Sequence, residues 1–422
     1  MPLETIPDRL KSDHLFLLVG GNPLPNLVSA LLLARSTATI WLLHSKGEDK
    51  EPSTQKLAEN LEDALQKKNG DWTIRLEPVP TVSNLDIENR IAEILKEIDK
   101  HPPGRVGFNY TGGTKPMAIH TYRVMSAKWE QKSPPPVFSY LDPQCLALRI
   151  DGGRGVEEAE FSVLKMPAIR QAVALNVDEL AALHNFTPTN NQEKWATTDD
   201  VPELINLCRA LLDLHMTPIG VETWRKWMFD EKLRAVPDPA QYPLLSGVRA
   251  AMDGLCGGTA TPECIAGILL PHKPSLPSCA KWFIGGWLEA YVHASLRQLQ
   301  NDFPVEVSVG LQYKQPGLGM SLDLDNAMMF GYQLFALSCM VSDGKNRKGT
   351  VKEHLLEVYV RARQLGGDEA RVALVCYYDN ARLLEQELMR SWDAKGKIRV
   401  FGKSELPELS RHLADWLRTT NL

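Results

Sequence analysis

Short apolar runs alternate with amphipathic helical patterns over residues 1–155. The run from His14 to Val19 is too short for a typical helix and stops at Gly20-Gly-Asn-Pro23, which predicts a buried strand. The same pattern predicts strands at 38–43, 73–76, 105–110 and, as a hairpin, 137–150, with helices from about Asn26, after Ser53 or Thr54, and over 87–98. This alternation is typical of a parallel α/β sheet, which binds ligands at the carboxyl ends of its strands.

The rest of the chain divides into two further predicted units. Residues 156–276 have an irregular helical pattern that prolines interrupt, so a helical connecting domain is predicted; Val177 to Phe186 fits either a winged-helix module or an ordinary packing helix. Residues 277–422 predict a second α/β domain, with Gly331 in a turn, helices at 282–296, 351–364, 381–392 and up to Arg418, and strands at 305–313, 321–325, 333–341, 371–377 and 398–401. The predicted domains are therefore 1–155, 156–276 and 277–422.

The charge balance excludes one broad class of function. The chain carries 47 Lys and Arg against 52 Asp and Glu, a formal net charge of -5, so it is not a basic protein that coats nucleic acid. Any phosphate-binding site must therefore be local, formed by a few residues at one place in the fold.

The cysteines and the apolar segments indicate the cellular compartment. The seven cysteines contain no CxxC pair and no zinc-like cluster with histidines, which is typical of reduced, intracellular thiols. Residues 1–9 lack the apolar core of a signal peptide, and no apolar run approaches the roughly 18 residues that span a bilayer. We therefore expect a soluble cytoplasmic protein with no membrane partner.

A glycine-rich turn between a predicted strand and a predicted helix is the most informative stretch of the first domain. Such a turn binds phosphate through backbone amides, hydroxyl groups and a lysine, which here are supplied by Gly112, Gly113, Thr111, Thr114 and Lys115. It is neither a Walker A loop, because Gly113 stands where lysine is required, nor GxGxxG, so an NTPase or a dinucleotide oxidoreductase is disfavoured. The loop at 20–26 is expected at the same sheet edge, which favours a binding site over a plain turn.

The motif Asn109-Tyr-Thr-Gly-Gly-Thr-Lys-Pro-Met117 resembles the ligand-binding motif of CARF domains in CRISPR-associated proteins, in the group fused to a PD-(D/E)XK nuclease. The resemblance implies a Rossmann-like fold and a homodimer that binds a cyclic oligoadenylate, most often cyclic tetra-adenylate, in type III CRISPR antiviral defence. A two-fold symmetric ring suits a two-fold dimer. The implied ligand-binding residues are Gly21, Asn22, Pro23, Asn109, Thr111, Gly112, Gly113, Thr114 and Lys115, with Ser53, Thr54 and His120 as weaker candidates.

The third domain resembles the restriction-endonuclease-like domain of the same family. Gly285-Gly-Trp-Leu-Glu-Ala-Tyr-Val292 resembles its opening helix, which implies that Glu289 helps to hold a metal ion. Asp323-Leu-Asp325 matches the first catalytic strand, and Asp325 is the implied second metal ligand. At the positions of the family's E-x-K motif, however, the chain has Ser338 in place of glutamate and Met340 in place of lysine.

These substitutions predict a degenerate nuclease motif. A nuclease of this type needs carboxylates to hold Mg²⁺ or Mn²⁺ and a lysine to orient water or stabilise developing charge. We expect a bound metal only if the domain is active, which would need groups from elsewhere. The local candidates are Asp323, Asp343, Lys345, Lys352, Glu353 and Glu357, while the loop 344–349 could contact a nucleic-acid backbone.

Three functions are consistent with this sequence. The first is a cyclic-oligoadenylate sensor with a pseudo-nuclease domain. The second is a metal-independent ring nuclease, in which Thr111, Thr114 and Lys115 would assist attack of a ribose 2′-OH on the neighbouring phosphate. The third is a DNase or RNase that the messenger activates and that has relocated metal ligands.

Overall fold

The computed structural model describes residues 5–47, 53–80, 83–98, 104–129, 134–153, 155–189, 195–229, 236–317, 319, 321–341 and 348–421. Within these ranges the chain forms two β-sheets, each packed against helices, and a group of helices connects them. The predicted α/β fold class is therefore confirmed.

Parallel strands form most of the first sheet, in the order β3-β2-β1-β4-β5-β6-β7. Pairing is parallel from β3 to β5 and antiparallel for β6 and β7. The strands are β1 (Ser12–Val19), β2 (Ala34–Ser45), β3 (Thr73–Val79), β4 (Val106–Asn109), β5 (Val137–Asp142), β6 (Ala147–Ile150) and β7 (Ala159–Ser162). The chain winds outward from β1 on one side and from β4 on the other, so these two strands flank the switch point at which open α/β sheets bind ligands.

Helices pack on both faces of the first sheet, which explains the continuous apolar run in β1. They are α1 (Leu24–Leu33), α2 (Gln55–Lys68), α3 (Asn84–Ile98) and α4 (Lys115–Trp129). Leu15, Leu17 and Val19 belong to the core that includes α1 and α2, whereas Phe16 and Leu18 belong to the core that includes α3 and α4. A strand that is buried on both faces shows no polar alternation, as is usual in parallel sheets.

Connecting helices follow the first sheet. They are α5 (Pro167–Ala172), α6 (Val177–Leu183), α7 (Leu204–His215), α8 (Pro218–Phe229), α9 (Ser246–Leu255), α10 (Pro262–Leu269) and α11 (Leu276–Lys281). The segment 156–276 is not purely helical, because β7 extends the first sheet beyond residue 155 and β8 (Thr187–Pro188) pairs with the second sheet. A winged-helix module was one of the two alternatives for Val177 to Phe186. In the structure this segment contains the short helix α6, which leads directly into β8 at the edge of the second sheet.

Two cysteines differ from the expectation of reduced thiols. Cys256 and Cys264 are joined by a disulfide that links the end of α9 to α10. The Cα atoms of the two residues lie 6.2 Å apart, a normal separation for a disulfide. Their proximity depends on the turn between the two helices, which spacing alone did not reveal.

The second sheet has the order β13-β12-β11-β10-β9-β8 and mixed pairing. Its strands β9 (Val305–Lys314), β10 (Ser321–Phe330) and β11 (Gln333–Met340) pair antiparallel, and β12 (Arg371–Cys376) and β13 (Ile398–Phe401) continue in parallel. Gly331 lies in the β10–β11 turn, as predicted, and has a φ of +63°. The helices are α12 (Trp287–Leu299), α13 (Lys348–Gly366), α14 (Ala381–Ser391) and α15 (Leu409–Asn421).

Among the helices described, none combines the length and the apolar composition needed to cross a membrane.

The loops after β1 and β4 approach each other very closely. A Cβ atom on Gly20 would lie 2.8 Å from the backbone nitrogen of Gly113, and one on Gly112 would lie 2.0 Å from the carbonyl oxygen of Leu18. Gly113 also has a φ of +72°, a conformation that side chains disfavour. The glycine-rich composition of this turn is therefore required by the packing of the two loops.

Gly112→Ala is expected to lower the free energy of unfolding by at least roughly 1–3 kcal/mol, because overpacking against a backbone carbonyl cannot be relieved by a rotamer change. Gly70→Ala is the matched control, because no atom lies within 4 Å of the added Cβ. Urea unfolding followed by circular dichroism measures both changes. Equal effects of the two substitutions would contradict the close approach of the loops.

Candidate functional site

The start of α4 carries the exposed part of the glycine-rich turn. The Oγ1 of Thr114 accepts a hydrogen bond from the backbone N–H of Met117 at 3.4 Å, so Thr114 caps the first turn of the helix. Thr114 and Lys115 are both exposed. The turn thus presents helix-terminal N–H groups, a lysine and a hydroxyl at the switch point, an arrangement suited to phosphate.

Asn109 and Thr111 hold the turn against β5. Asn109 is buried; its Nδ2 donates to Oγ of Ser139 at 3.1 Å, and its Oδ1 accepts from the N–H and the hydroxyl of Thr111 at 3.2 and 2.7 Å. The hydroxyl of Thr111 also accepts from the N–H of Leu141 at 2.7 Å. Both side chains are therefore engaged in bracing the turn, while Thr114 and Lys115 remain exposed beside it.

The loop after β1 contributes the second edge of the site. Oδ1 of Asn22 accepts from the N–H of Leu24 at 3.1 Å, which fixes the start of α1. Pro23 is buried, whereas Gly21 is exposed and has no atom within 4 Å of an added Cβ. Gly21 therefore leaves room above the loop for a bound group.

Ser53 and Thr54 do more than begin α2. The hydroxyl of Thr54 donates to the carbonyl oxygen of Val19 at 3.0 Å and accepts from the N–H of Ser45 at 2.9 Å, so it makes no capping bond to α2. The Oγ of Ser53 accepts from the N–H of Gln55 at 3.1 Å. Thr54 therefore ties together the carboxyl ends of β1 and β2.

Sequence reasoning missed an aromatic group beside the turn. The hydroxyl of Tyr110 donates to the carboxylate of Asp151 at 2.9 Å, and burial together with this bond raises the pKa of Tyr110. Tyr122 and Tyr140 pack near the same ring, with centroid distances of 6.0 and 5.5 Å. The alternating aromatic residues Phe138 and Tyr140 in β5 were the available signal for this group. The hydrogen bond between Tyr110 and Asp151 joins residues too far apart in the sequence to be predicted from that pattern.

His120 pairs with a residue of the neighbouring helix α3. Its Nδ1 lies 2.7 Å from Oε1 of Glu88 on α3. The histidine therefore joins two helices on the same face of the sheet.

The second sheet brings Glu289 and Asp325 together. Burial raises the pKa of Glu289 to about 8, and the nearby charge of Asp325 adds to the effect. Burial also raises the pKa of Asp325, although hydrogen bonds from Cys339 and Ser338 oppose this increase. Asn326 holds the two elements in place, because its Nδ2 donates to the carbonyl oxygen of Glu289 at 3.2 Å.

Ser338 and Met340 change the chemistry of this centre. The hydroxyl of Ser338 donates to Oδ2 of Asp325 at 3.0 Å, and the N–H of Cys339 donates to the same oxygen at 2.7 Å. The position expected to carry a metal-binding carboxylate therefore carries a hydrogen-bond donor. Met340 is buried and supplies no charge.

Two of the residues that the resemblance implies for a metal-dependent centre are replaced here, by Ser338 and Met340. No group of three or more His, Cys, Asp or Glu side chains among the described residues could hold a metal ion. The carboxyl groups that remain are those of Glu289 and Asp325, and Oδ2 of Asp325 already accepts two hydrogen bonds.

The other candidates for metal or phosphate contacts lie in ordinary surroundings. Lys352 pairs with Glu387 at 2.6 Å, Glu357 pairs with Arg361, and Glu353 is exposed. The carbonyl oxygen of Asp323 accepts a hydrogen bond from Arg361 at 3.2 Å, and the side chain of Asp323 is half-buried. Asp343, Lys345 and most of the loop 344–349 lie outside the described residues.

Glu289→Gln is expected to change how stability depends on pH. The pKa of Glu289 is raised from 4.5 to about 8 in the folded chain, so folding favours the protonated form and the free energy of unfolding falls as pH rises between these values. The variant should lose most of that slope because glutamine does not titrate.

Urea unfolding at a series of pH values from 4 to 9 measures this dependence. Glu353→Gln, an exposed glutamate of α13, is the control and should keep the wild-type slope. An unchanged slope in Glu289→Gln would contradict the burial of an ionisable Glu289.

The C-terminal domain is similar to a known protein family. Residues 278–420 match the family model described as Card1-like, endonuclease domain. A comparison with curated protein sequences finds no match.

Two solved structures share the fold of nearly the whole chain. Protein VC1899 from Vibrio cholerae aligns with a TM-score of 0.68 at 17% identity, over 97% of this chain and 98% of that one. Can2 from Sulfobacillus thermosulfidooxidans, in complex with cyclic tetra-adenylate, aligns with a TM-score of 0.64 at 15% identity, over 97% of this chain and 98% of that one. At these identities the likeness establishes the fold.

The family match and the shared fold agree with the motifs. The match covers the second sheet with Glu289 and Asp325, and the Rossmann-like sheet before it carries the glycine-rich turn at its switch point. The chain therefore combines a Rossmann-like sheet, which carries the glycine-rich turn, with a C-terminal domain that is similar to the Card1-like endonuclease domain.

Proposed function

We propose that this protein is a cyclic-oligoadenylate sensor of type III CRISPR antiviral defence, with cyclic tetra-adenylate as its ligand and a catalytically degenerate nuclease domain. The observation that carries the proposal is the glycine-rich turn at the switch point, where Thr114 and Lys115 stand exposed at the start of α4. Phosphates of a cyclic oligonucleotide are the class of group that such a turn binds. The shared fold with Can2, which was solved with this ligand, supports the choice.

A homodimer follows from the proposed ligand. A symmetric ring offers equivalent phosphates on its two sides, so two copies of the turn can bind it at once. Ile119 and Tyr122 on α4, next to the turn, are 61% and 38% exposed, which suits a contact with a second copy of the chain. The protein would then act in the cytoplasm.

The degenerate nuclease rests on the centre around Asp325. Loss of even an outer partner of a metal ligand costs about 10- to 100-fold in affinity or activity, and Ser338 replaces a direct ligand. The buried methionine at position 340 cannot replace the cationic group. The retained Glu289 and Asp325 therefore act chiefly in packing.

Ring cleavage without metal is the second candidate function. It is favoured by one observation, the exposure of both Thr114 and Lys115 beside the bracing pair Asn109 and Thr111. Donors held in this way could stabilise charge on a phosphate while the neighbouring 2′-OH attacks it. A nuclease with relocated ligands is the third, and it would need groups such as Asp343 and Lys345.

The deciding experiment incubates the protein with radiolabelled cyclic tetra-adenylate, with and without Mn²⁺, beside single-stranded DNA and RNA. Binding without any cleavage is the expected result. Linear adenylates formed without metal would assign ring-nuclease activity. Cleavage of DNA or RNA that needs both messenger and Mn²⁺ would contradict the degenerate domain, and absence of binding would contradict the sensor.

Lys115→Ala is expected to weaken binding of cyclic tetra-adenylate by roughly 10- to 100-fold, because a hydrogen bond to a charged group contributes about 1.5–3 kcal/mol. Lys67→Ala removes another exposed lysine, at the far end of α2, and should leave the affinity unchanged. Isothermal titration calorimetry measures both. Equal affinities of the two variants would place the phosphates elsewhere.

The double substitution Ser338→Glu with Met340→Lys is expected to give the domain a metal- and messenger-dependent nuclease activity that the wild type lacks, because it restores a carboxylate and a cation beside Asp325. Cleavage of a fluorescent single-stranded substrate with Mn²⁺ measures it. Adding Asp325→Ala to the double variant is the control and should abolish the gain. Activity that persists in this control would come from another site or a contaminant.

A further inference from the structure

The loop after β1 contacts the nuclease-like domain at the end of α13. A Cβ atom on Gly367 would lie 2.0 Å from Nδ2 of Asn22 and 2.8 Å from Oε2 of Glu369. Gly367 has a φ of +61° and opens the single 3₁₀ turn Gly367–Glu369 that leads into β12. The side chain of Asn22 therefore occupies space that only a glycine leaves open.

The side chain of Asn22 is held within its own loop and contacts the other domain. Its Oδ1 accepts from the N–H of Leu24 within its own loop at 3.1 Å, and its Nδ2 is turned to Gly367 and Glu369 of the other domain. The Oδ1 is therefore used within the loop, while the Nδ2 packs over Gly367 of the other domain. A shift of the turn at Gly367 must therefore move Asn22, or break its bond to Leu24.

Glu369 connects this contact to the second sheet. Its side chain is 2% exposed, and its Oε2 has no hydrogen-bond partner within the described part of the chain. Its carbonyl oxygen accepts from Nε2 of Gln333 and from Nη1 of Arg371, both at 2.8 Å. Gln333 is the first residue of β11, the strand that also carries Ser338.

We propose that the turn Gly367–Glu369 positions Asn22 for the ligand, and that it thereby couples the messenger-binding loop to the β10–β11 hairpin. The proposal rests on the proposed function, in that the ligand is the cyclic oligoadenylate. Gly367 and Glu369 are positioning residues, because they act through Asn22. Coupling between two sites is reciprocal, so ligand bound at the loop must act on the turn as strongly as the turn acts on the ligand.

Gly367→Ala tests the proposal, with Gly396→Ala as its matched control. Both glycines have positive φ, +61° and +72°, but no atom lies within 4 Å of a Cβ added to Gly396. The backbone cost is therefore similar, and only the first variant collides with Asn22. We expect Gly367→Ala to weaken binding of cyclic tetra-adenylate at least roughly tenfold and Gly396→Ala to leave it unchanged.

A double-mutant cycle identifies the route of the effect. Asn22→Ala removes the side chain that the new Cβ would strike, so adding Gly367→Ala to Asn22→Ala should cost little further affinity. A full additional loss in the double variant would mean that Gly367 acts by another route, and would overturn the proposal.

Hydrogen–deuterium exchange separates this inference from the proposed function. Without any nucleotide, Gly367→Ala should speed exchange in residues 20–26, including the Leu24 amide that Asn22 protects, whereas Gly396→Ala should not. If the wild type binds no cyclic tetra-adenylate, the proposed ligand is wrong, and exchange alone still decides whether the turn positions the loop.

A second variant covers a failure of Gly367→Ala to fold. Glu369→Gln keeps the size of the side chain but replaces the buried carboxyl group, which lies beside Asn22 at Gly367, by an amide. It should speed exchange in the same residues. Wild-type exchange in residues 20–26 in every folded variant at 367 and 369 would overturn the proposal.

Discussion

The contact between the loops after β1 and β4 is the constraint on which the proposed site depends. The two backbones pass so closely that neither Gly20 nor Gly112 can carry a side chain. The same packing places the N-terminus of α4, with the exposed Thr114 and Lys115, beside the loop after β1. One geometric requirement thus closes the sheet at its switch point and prepares a surface for an anion.

The second sheet meets a different constraint, because two carboxyl groups lie close together in a partly buried place. A nuclease would balance their charge with a cation. Here the hydroxyl of Ser338 and the N–H of Cys339 donate hydrogen bonds to Asp325. The raised pKa of Glu289 keeps that side chain protonated over a wider range of pH. The polar centre is therefore compatible with the fold without a metal ion, and selection on packing alone could retain both carboxyl groups.

The strands and helices were largely predictable from the sequence, because elements such as β1 and α3 are specified by local apolar patterns. Short strands were not: β7 and the two-residue β8 exist because neighbouring strands offer them partners. The glycine-rich turn was found from its residues. Within this turn Asn109 and Thr111 make hydrogen bonds to β5, whereas Lys115 is exposed. These different roles depend on contacts that residue spacing does not reveal. The pairs Tyr110–Asp151 and Asn22–Gly367 were missed for the same reason.

The small strand β8 ends the second sheet in a particular way. Pro188 pairs with Tyr313 but has no N–H to offer, and Thr187 is the only other residue that the described strand contains. An edge of this kind is a poor template for a strand from another molecule. The end of β9 that β8 covers, at Tyr313 and Lys314, is therefore closed to pairing with a strand of a second molecule.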